Sequence, residues 1–108
     1  MLNTALENIM STVTITFTET RPTLDFAWYR TPTDFITYIQ KYNDVRHPSG
    51  PGAGWTSSID MLSRTHVVSY TSQADYDTFR NDSKCVEELA RLTDYNTANS
   101  ITRSKTIS

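Results

Sequence analysis

The sequence predicts an α+β domain, a two-layer sandwich in which a mainly antiparallel sheet of four or five strands carries two helices on one face, ferredoxin-like in character. Three observations lead to this prediction. Residues 12–18 alternate strictly between polar and apolar side chains, which is the period of a strand. Segments 31–43 and 72–95 combine helix-capping residues with apolar side chains at helical spacing. Residues 101–107 alternate again and predict a final strand.

Chain length sets the domain organisation. A chain of 108 residues forms one domain with a core large enough to need no disulfide. We expect residues 11–108 to make up this domain, because Met10 would be a natural start directly before the first strand. Residues 1–10 would form at most a short helix, which is marginal in water, so we expect a mobile N-terminal segment.

Charge and composition exclude several classes of function. The net charge of -2 gives no electrostatic signature for nucleic acid or an anionic membrane. No apolar run approaches the roughly 18 residues that a membrane span needs. Cys85 is the single cysteine, which fits a reducing compartment and predicts a cytoplasmic protein. Thr and Ser contribute 18 and 11 residues, a bias typical of β-rich structure with hydroxyl-lined surfaces.

The opening stretch predicts a β-hairpin. Its first strand is residues 12–18, its turn contains Pro22, and its second strand is residues 24–29. One face of the first strand is apolar and the other is a ladder of threonines. This ladder is either an ordinary solvated face or a subunit interface, for which Thr14 and Thr16 are the candidates.

The middle of the chain predicts a helix, a loop and more strand. Thr31 should cap a helix that runs to about residue 43, and residues 47–54 should form a loop that includes His47. The loop lacks the lysine of a phosphate-binding loop. Trp55 follows it directly, so we regard Trp55 as a candidate interface anchor.

Residues 55–71 alternate, but the phase of the alternation changes near Met61. One long bulged strand or two paired strands would explain the change. Ser72 then caps a helix, and residues 81–83 offer a break and a second cap, so the segment beyond is one bent helix or two helices in sequence. The final strand, with its cations Arg103 and Lys105, is predicted to be an edge strand.

Segment 63–82 is similar to the strand-then-helix half of the antibiotic biosynthesis monooxygenase-like family, through Ser72, Tyr76 and Phe79. Members of that family are small ferredoxin-like proteins that pair as dimeric α+β barrels. Their order is strand, helix, strand, strand, helix, strand, whereas this chain is predicted to open with two strands. The opening residues 12–22 also resemble small uncharacterised proteins of marine cyanobacterial phages, which would place the protein in the cytoplasm of the host cell.

No catalytic residue is predicted. His66 and Tyr70 are candidates for the lining of a pocket between sheet and helices, although the pattern favours a structural or exposed role for His66. Cys85 lies within a helical apolar pattern and is predicted to be a structural thiol. The neighbouring Glu87 and Glu88 are expected on a solvated face. No spacing of His, Cys, Asp or Glu predicts a metal site, and no cofactor is expected.

Three functions remain open. The first is a small non-catalytic structural or accessory protein that self-associates as a homodimer or larger homo-oligomer, and the resemblance of its opening residues implies that it is phage-encoded. The second is a monooxygenase-like enzyme or small-molecule binder with His66 or Tyr70 in its pocket. The third is a monomeric adaptor that binds another protein through Trp55 and the loop before it.

Overall fold

The computed structural model describes residues 11–49 and 54–108. The predicted mobile segment, residues 1–10, lies outside the described residues, as does the centre of the predicted loop. Within these described residues, three α-helices, one 3-10 turn and five strands follow one another. In order they are β1 (Val13–Thr20), α1 (Thr33–Ile39), the 3-10 turn (Gln40–Tyr42), β2 (Arg46–Ser49), β3 (Thr56–Ser57), β4 (Ser63–Tyr70), α2 (Gln73–Asn81), α3 (Ser83–Ala98) and β5 (Thr102–Ile107).

The strands form one antiparallel sheet in the order β2-β4-β1-β5, with the short β3 beside the first half of β4. β1 and β4 pair over their whole length, from Val13 opposite Tyr70 to Thr20 opposite Ser63. This is an α+β fold consistent with a two-layer sandwich, as predicted from the alternating and amphipathic segments.

The two faces of the sheet differ in what they contact. On the inner face, the odd positions of β1 point toward the helices and align with the even positions of β4, as in the pair Ile15 and Val68. Val13, Tyr70 and Tyr76 of α2 complete this small apolar core. The even positions of β1 lie on the outer face.

The prediction that residues 24–29 pair with β1 in a hairpin is wrong. Residues 24–29 form no strand, because both edges of β1 are taken by the distant strands β4 and β5. The segment is instead held by side chains. The Arg21 guanidinium donates to the Phe26 carbonyl at 2.9 Å, and the Tyr95 hydroxyl of α3 donates to the Ala27 carbonyl at 2.5 Å. The segment therefore crosses toward α3 instead of extending the sheet.

The phase change near Met61 corresponds to a turn between two paired strands, β3 and β4. Ser58 accepts from the Ser63 backbone N–H at 3.0 Å, and Asp60 accepts from the Leu62 N–H at 3.0 Å. The Ser58 hydroxyl also donates to the Asp60 carboxylate, at 2.7 Å, and the bonds from Leu62 and Ser58 lower the pKa of Asp60. Met61 adopts a φ of 63°, which closes the turn in a left-handed conformation.

The C-terminal helical segment is two helices, so residues 11–49 and 54–108 contain three α-helices where the fold prediction had two. Ser72 caps α2 by accepting from the Asp75 N–H at 3.1 Å, as the sequence indicated. Asp82 caps α3 by accepting from the Lys84 N–H at 2.9 Å. Its own ψ of 130° is not helical, and this breaks the helix between α2 and α3.

The first helix is shorter than predicted and is exposed. α1 starts after Pro32, has no side-chain cap from Thr31, and contains no buried residue. Ile36 in this helix is 47% exposed. Residues 47–49, predicted as loop, instead pair with β4 as part of β2, in which His47 is exposed.

Candidate functional site

The outer face of the sheet is an uncharged, hydroxyl-rich surface. Thr14 and Thr16 both lie on it, in the central strand β1. The strand registers place fourteen residues here: Thr14, Thr16, Thr18, Thr20, His47, Ser49, Thr56, Ser63, Thr65, Val67, Ser69, Thr102, Ser104 and Thr106. None of them is Asp, Glu, Lys or Arg. At the 20% charged residues of the whole chain, a set of this size would hold about three charges.

Several hydroxyls of the outer face already bond within their own sheet. Thr14 Oγ1 lies 3.2 Å from Ser69 Oγ, and Thr20 Oγ1 lies 3.1 Å from Ser63 Oγ. Ser49 donates to the Val67 carbonyl at 3.2 Å. These bonds reduce the number of hydroxyls that depend on water, so covering the face costs less than burying unpaired hydroxyls would.

The inner face changes from apolar to ionic along the strands. Glu19, on the same side of β1 as Ile15, is fully buried at 0% exposure. Its carboxylate accepts from Arg64 at 2.7 and 2.8 Å and from the Asn96 side-chain amide at 3.2 Å, and Arg103 lies 3.7 Å away. We call these four residues the Glu19 cluster. Burial lowers the pKa of both arginines, but Arg64 and Arg103 still surround the carboxylate with positive charge.

Two tryptophans pack on the Arg64 guanidinium. Its central carbon lies 4.0 Å from the Trp55 ring centre and 4.8 Å from that of Trp28. Arg21 stacks on the same Trp28 ring at 4.4 Å. Trp55 is thus half-buried on the inner side, stacked on a residue of the Glu19 cluster. Its predicted role as an interface anchor stays a prediction.

His66 and Tyr70, the two predicted pocket residues, both point to the inner face of β4. His66 lies 5.1 Å from the Trp55 ring, and its buried Nε2 has no hydrogen-bond partner in the described part of the chain. Burial lowers the pKa of His66, and the positive charges of Arg46, Arg64 and Arg103 lower it further, so the imidazole is neutral at pH 7. Tyr70 is 2% exposed and belongs to the core, where burial raises its pKa.

A second buried carboxylate corrects the expectation of a solvated face on α3. Glu88 is only 6% exposed. It accepts from the Tyr29 hydroxyl at 2.6 Å and from Arg91 at 3.0 Å. Burial and the Glu88 carboxylate raise the pKa of Tyr29, which therefore stays protonated and acts as a donor.

Asp82 joins the first helical segment to α3. It accepts from the hydroxyls of Tyr38 and Tyr42 at 2.6 and 2.5 Å, and these bonds hold the pKa of Asp82 well below its usual range. Cys85, one turn into α3, is buried; burial first, and then the Asp82 charge, raise its pKa to about 11. The thiol is therefore protonated at neutral pH and is a poor nucleophile, as its structural role predicts.

A groove of about 290 Å³ lies between the sheet and the junction of α2 with α3, beside β5. Its walls include the aromatic rings of Phe17, Tyr76 and Phe79. Its cationic residues are Arg80, Arg103 and Lys105. We call this cavity the β5 groove. Tyr70 lines it, so the structure places one of the two predicted pocket residues there.

The Glu19 cluster was not predicted from the sequence, although a signal for it exists. Glu19 continues the inward positions of Ile15 and Phe17, so a carboxylate stands on an apolar stripe. Arg64 and Arg103 occupy the corresponding inward positions of their strands. Only the strand pairing, which the sequence does not give, reveals that the three charges meet.

The described residues contain no group of three or more His, Cys, Asp or Glu side chains that could hold a metal ion. Within the same residues, no helix has the length and apolar character needed to cross a membrane. Comparison of the chain with protein-family models, with curated proteins and with solved structures gives no match.

Proposed function

We propose that this chain is the subunit of a homo-oligomer, a small non-catalytic structural or accessory protein whose copies associate through the outer faces of their sheets. The uncharged outer face, which includes Thr14 and Thr16, carries the proposal. A surface that faces only water normally contains charged side chains of both signs. A surface that contacts another copy is instead depleted of charge at its centre.

The area of the outer face is close to what a dimer needs when most of the face is used. With strands about 4.8 Å apart and about 3.3 Å of rise per residue, the sheet covers roughly 450 Å² in its own plane. Two copies would bury at least about 900 Å², close to the ~1,000 Å² that a specific interface needs. The absence of charge extends to both edge strands, which is what a contact over the whole face requires.

Although the outer face is polar, burying it costs little free energy. Burying a hydroxyl costs free energy chiefly when its hydrogen bond to water is not replaced. Pairs such as Thr14 with Ser69 keep their bond inside one sheet, and the methyl groups of threonine and the side chain of Val67 supply apolar contact. Two sheets of this kind can stack about 10 Å apart.

The edges of the sheet are less suited to association than its face. β5 carries Arg103 and Lys105 toward the inner face, and charges of this kind discourage pairing with another edge. At the opposite edge, Pro48 of β2 has no backbone N–H to donate. We therefore place the contact between copies on the outer face.

A ferredoxin-like arrangement supports the same proposal. Residues 24–29 do not form the expected strand, so the chain opens with one strand before its first helix. If β3 is counted as an addition and α2 with α3 as one helical layer, the element order is strand, helix, strand, strand, helix, strand, as in the monooxygenase-like family. The two crossovers place β1 between β4 and β5. The resemblance to that family implies dimers, and the similarity of the opening strand to small phage proteins favours an accessory role.

The other two functions receive less support. Trp55 is stacked on Arg64, so a partner that used Trp55 as an anchor would meet a ring that is already half-buried. His66 lies near three arginines, and the Glu19 carboxylate among them is bonded to Arg64 and Asn96. Among the described residues, no free acid–base pair at this site favours catalysis.

The test is the mass of the protein in solution. Native mass spectrometry and sedimentation velocity should show a homo-oligomer that dissociates on dilution. Thr16→Arg places a charge at the centre of the outer face, opposite Val67 and Thr106, and should shift the protein to a monomer with an unchanged circular dichroism spectrum.

Thr37→Arg is the matched control, because Thr37 is an exposed threonine of α1, away from the sheet. It should leave the mass unchanged. A wild-type protein that stays monomeric at about 100 μM, well above the Kd range of stable complexes, would refute the proposal. So would a Thr16→Arg variant that keeps the oligomeric mass.

A further inference from the structure

We infer that the β5 groove binds a small organic carboxylate with a flat apolar or aromatic body. The inference is independent of self-association, because the groove opens between the sheet and the helices and uses none of the outer-face residues.

Three cations give the groove its charge. Arg80, Arg103 and Lys105 line it, and no acidic side chain is among the lining residues. Arg80 has a partner outside the lining, Asp77, at 3.0 Å. Arg103 has only the more distant Glu19, at 3.7 Å, and Glu19 is already bonded to Arg64 and Asn96.

The Lys105 ammonium has hydrogen-bond donors left for a ligand. It donates to the Tyr76 hydroxyl at 3.1 Å and lies 5.7 Å from the centre of that ring. Among the described residues, no carboxylate lies within salt-bridge distance of it. An ammonium has three donors, so the bond to Tyr76 leaves two for a ligand anion.

Aromatic rings form the rest of the wall. Tyr70 contacts Tyr76 and Phe79 with ring centres 5.0 and 5.6 Å apart, and both tyrosines are almost completely buried. Phe17 lies beneath Arg103, whose guanidinium carbon is 4.4 Å from the ring centre. A cation beside such rings suits a ligand that combines an anion with a flat apolar surface.

The volume sets the size of the ligand. A cavity of about 290 Å³ stands at the small end of the roughly 300–1,000 Å³ found for ligand pockets. The fork of donors on Arg103 and the ammonium of Lys105 can together donate hydrogen bonds to both oxygens of a carboxylate.

The probe is 2-naphthoate, compared with the neutral 2-naphthalenemethanol, by calorimetry and by saturation-transfer NMR at fixed ionic strength. The acid should bind saturably and the alcohol at least about fivefold more weakly, which corresponds to about 1 kcal/mol. Lys105→Gln should weaken the binding of the acid at least about fivefold and that of the alcohol hardly at all.

Lys84→Gln is the matched control. Lys84 is an exposed lysine whose ammonium also lies near a tyrosine ring, at 4.9 Å from that of Tyr38, but it does not line the groove. This variant should bind the acid as the wild type does, and so should Thr16→Arg, whatever its oligomeric state. Equal affinity for acid and alcohol would overturn the inference. An equal loss in Lys84→Gln and Lys105→Gln, or no saturable binding below about 1 mM, would do the same.

Discussion

The two faces of one sheet carry different kinds of side chain. The outer face contains hydroxyls and no charge, whereas the inner face holds an apolar core at one end and a buried ion cluster at the other. Thr18 and Glu19 are neighbours in β1, yet Glu19 is fully buried among cations and Thr18 lies on the open side. We therefore expect the inner face to determine the stability of the fold, and the outer face is the surface that we propose for contact with another copy.

The largest effect should come from breaking the Glu19 cluster. Glu19→Ala leaves Arg64 and Arg103 without their carboxylate in a buried site, and we expect a loss of about 3–5 kcal/mol in the free energy of unfolding. Urea unfolding followed by circular dichroism measures it. A loss below about 1 kcal/mol would show that water or a rearranged side chain replaces the carboxylate easily.

A substitution at the apolar end of the inner face should lower the free energy of unfolding nearly as much. Ile15 is fully buried, so Ile15→Ala creates a cavity and should cost about 2–5 kcal/mol. Ile107 lies opposite Ile15 in β5 and is 51% exposed.

Ile107→Ala is the control for Ile15→Ala, and it should cost about 0.5 kcal/mol because the same side chain is lost without a buried cavity. If both variants unfold at the same urea concentration, the buried Ile15 stabilises the fold no more than the exposed Ile107, and the burial of Ile15 does not reflect a packed core.

A smaller effect is expected from the pH dependence of His66. Its folded pKa lies below that of the unfolded chain, so the unfolded state binds a proton first as the pH falls. The stability contributed by the neutral imidazole is complete above about pH 6.5 and is lost as the pH falls through the folded pKa.

Urea unfolding at several values between about pH 5 and pH 7 should show this loss in the wild type and a flatter profile in His66→Gln. His47→Gln, a change at an exposed position of the outer face, is the matched substitution. A His66→Gln profile as steep as that of the wild type would assign the pH dependence to other groups.

The smallest effect should come from the outer face. Thr18→Val keeps the shape of the side chain and removes a hydroxyl that water can reach, so the free energy of unfolding should change by less than about 0.5 kcal/mol. Compared with Glu19→Ala, this variant measures the contrast between the faces at adjacent residues. A loss above about 1 kcal/mol would mean that the outer face also stabilises the single subunit.

Alternation in the sequence predicted which residues of β1 share a face, and the structure confirms it through Val13, Ile15 and Phe17. Capping residues predicted the start of α2 at Ser72 and placed that of α3 within residues 81–83, where the structure shows Asp82 as the cap. These features are local, since each depends on residues within one or two turns of chain.

The strand pairing and the candidate site depend on residues that are far apart in the sequence. Residues 24–29 alternate well enough to predict a strand, but β1 has only two edges and both are occupied by strands far along the chain. The Glu19 cluster and the β5 groove join side chains from β1, β4, β5 and the helices. Their positions depend on which strands become neighbours.

The sequence by itself determined the fold class, the threonine-rich side of β1 and the two capped helices, because periodicity and capping are properties of short segments. The tertiary structure decided that the charges of Glu19, Arg64 and Arg103 meet in a buried cluster and that Trp55 stacks on Arg64. It did so because long-range antiparallel pairing aligns inward positions of three strands, and no pattern within one strand specifies its neighbour.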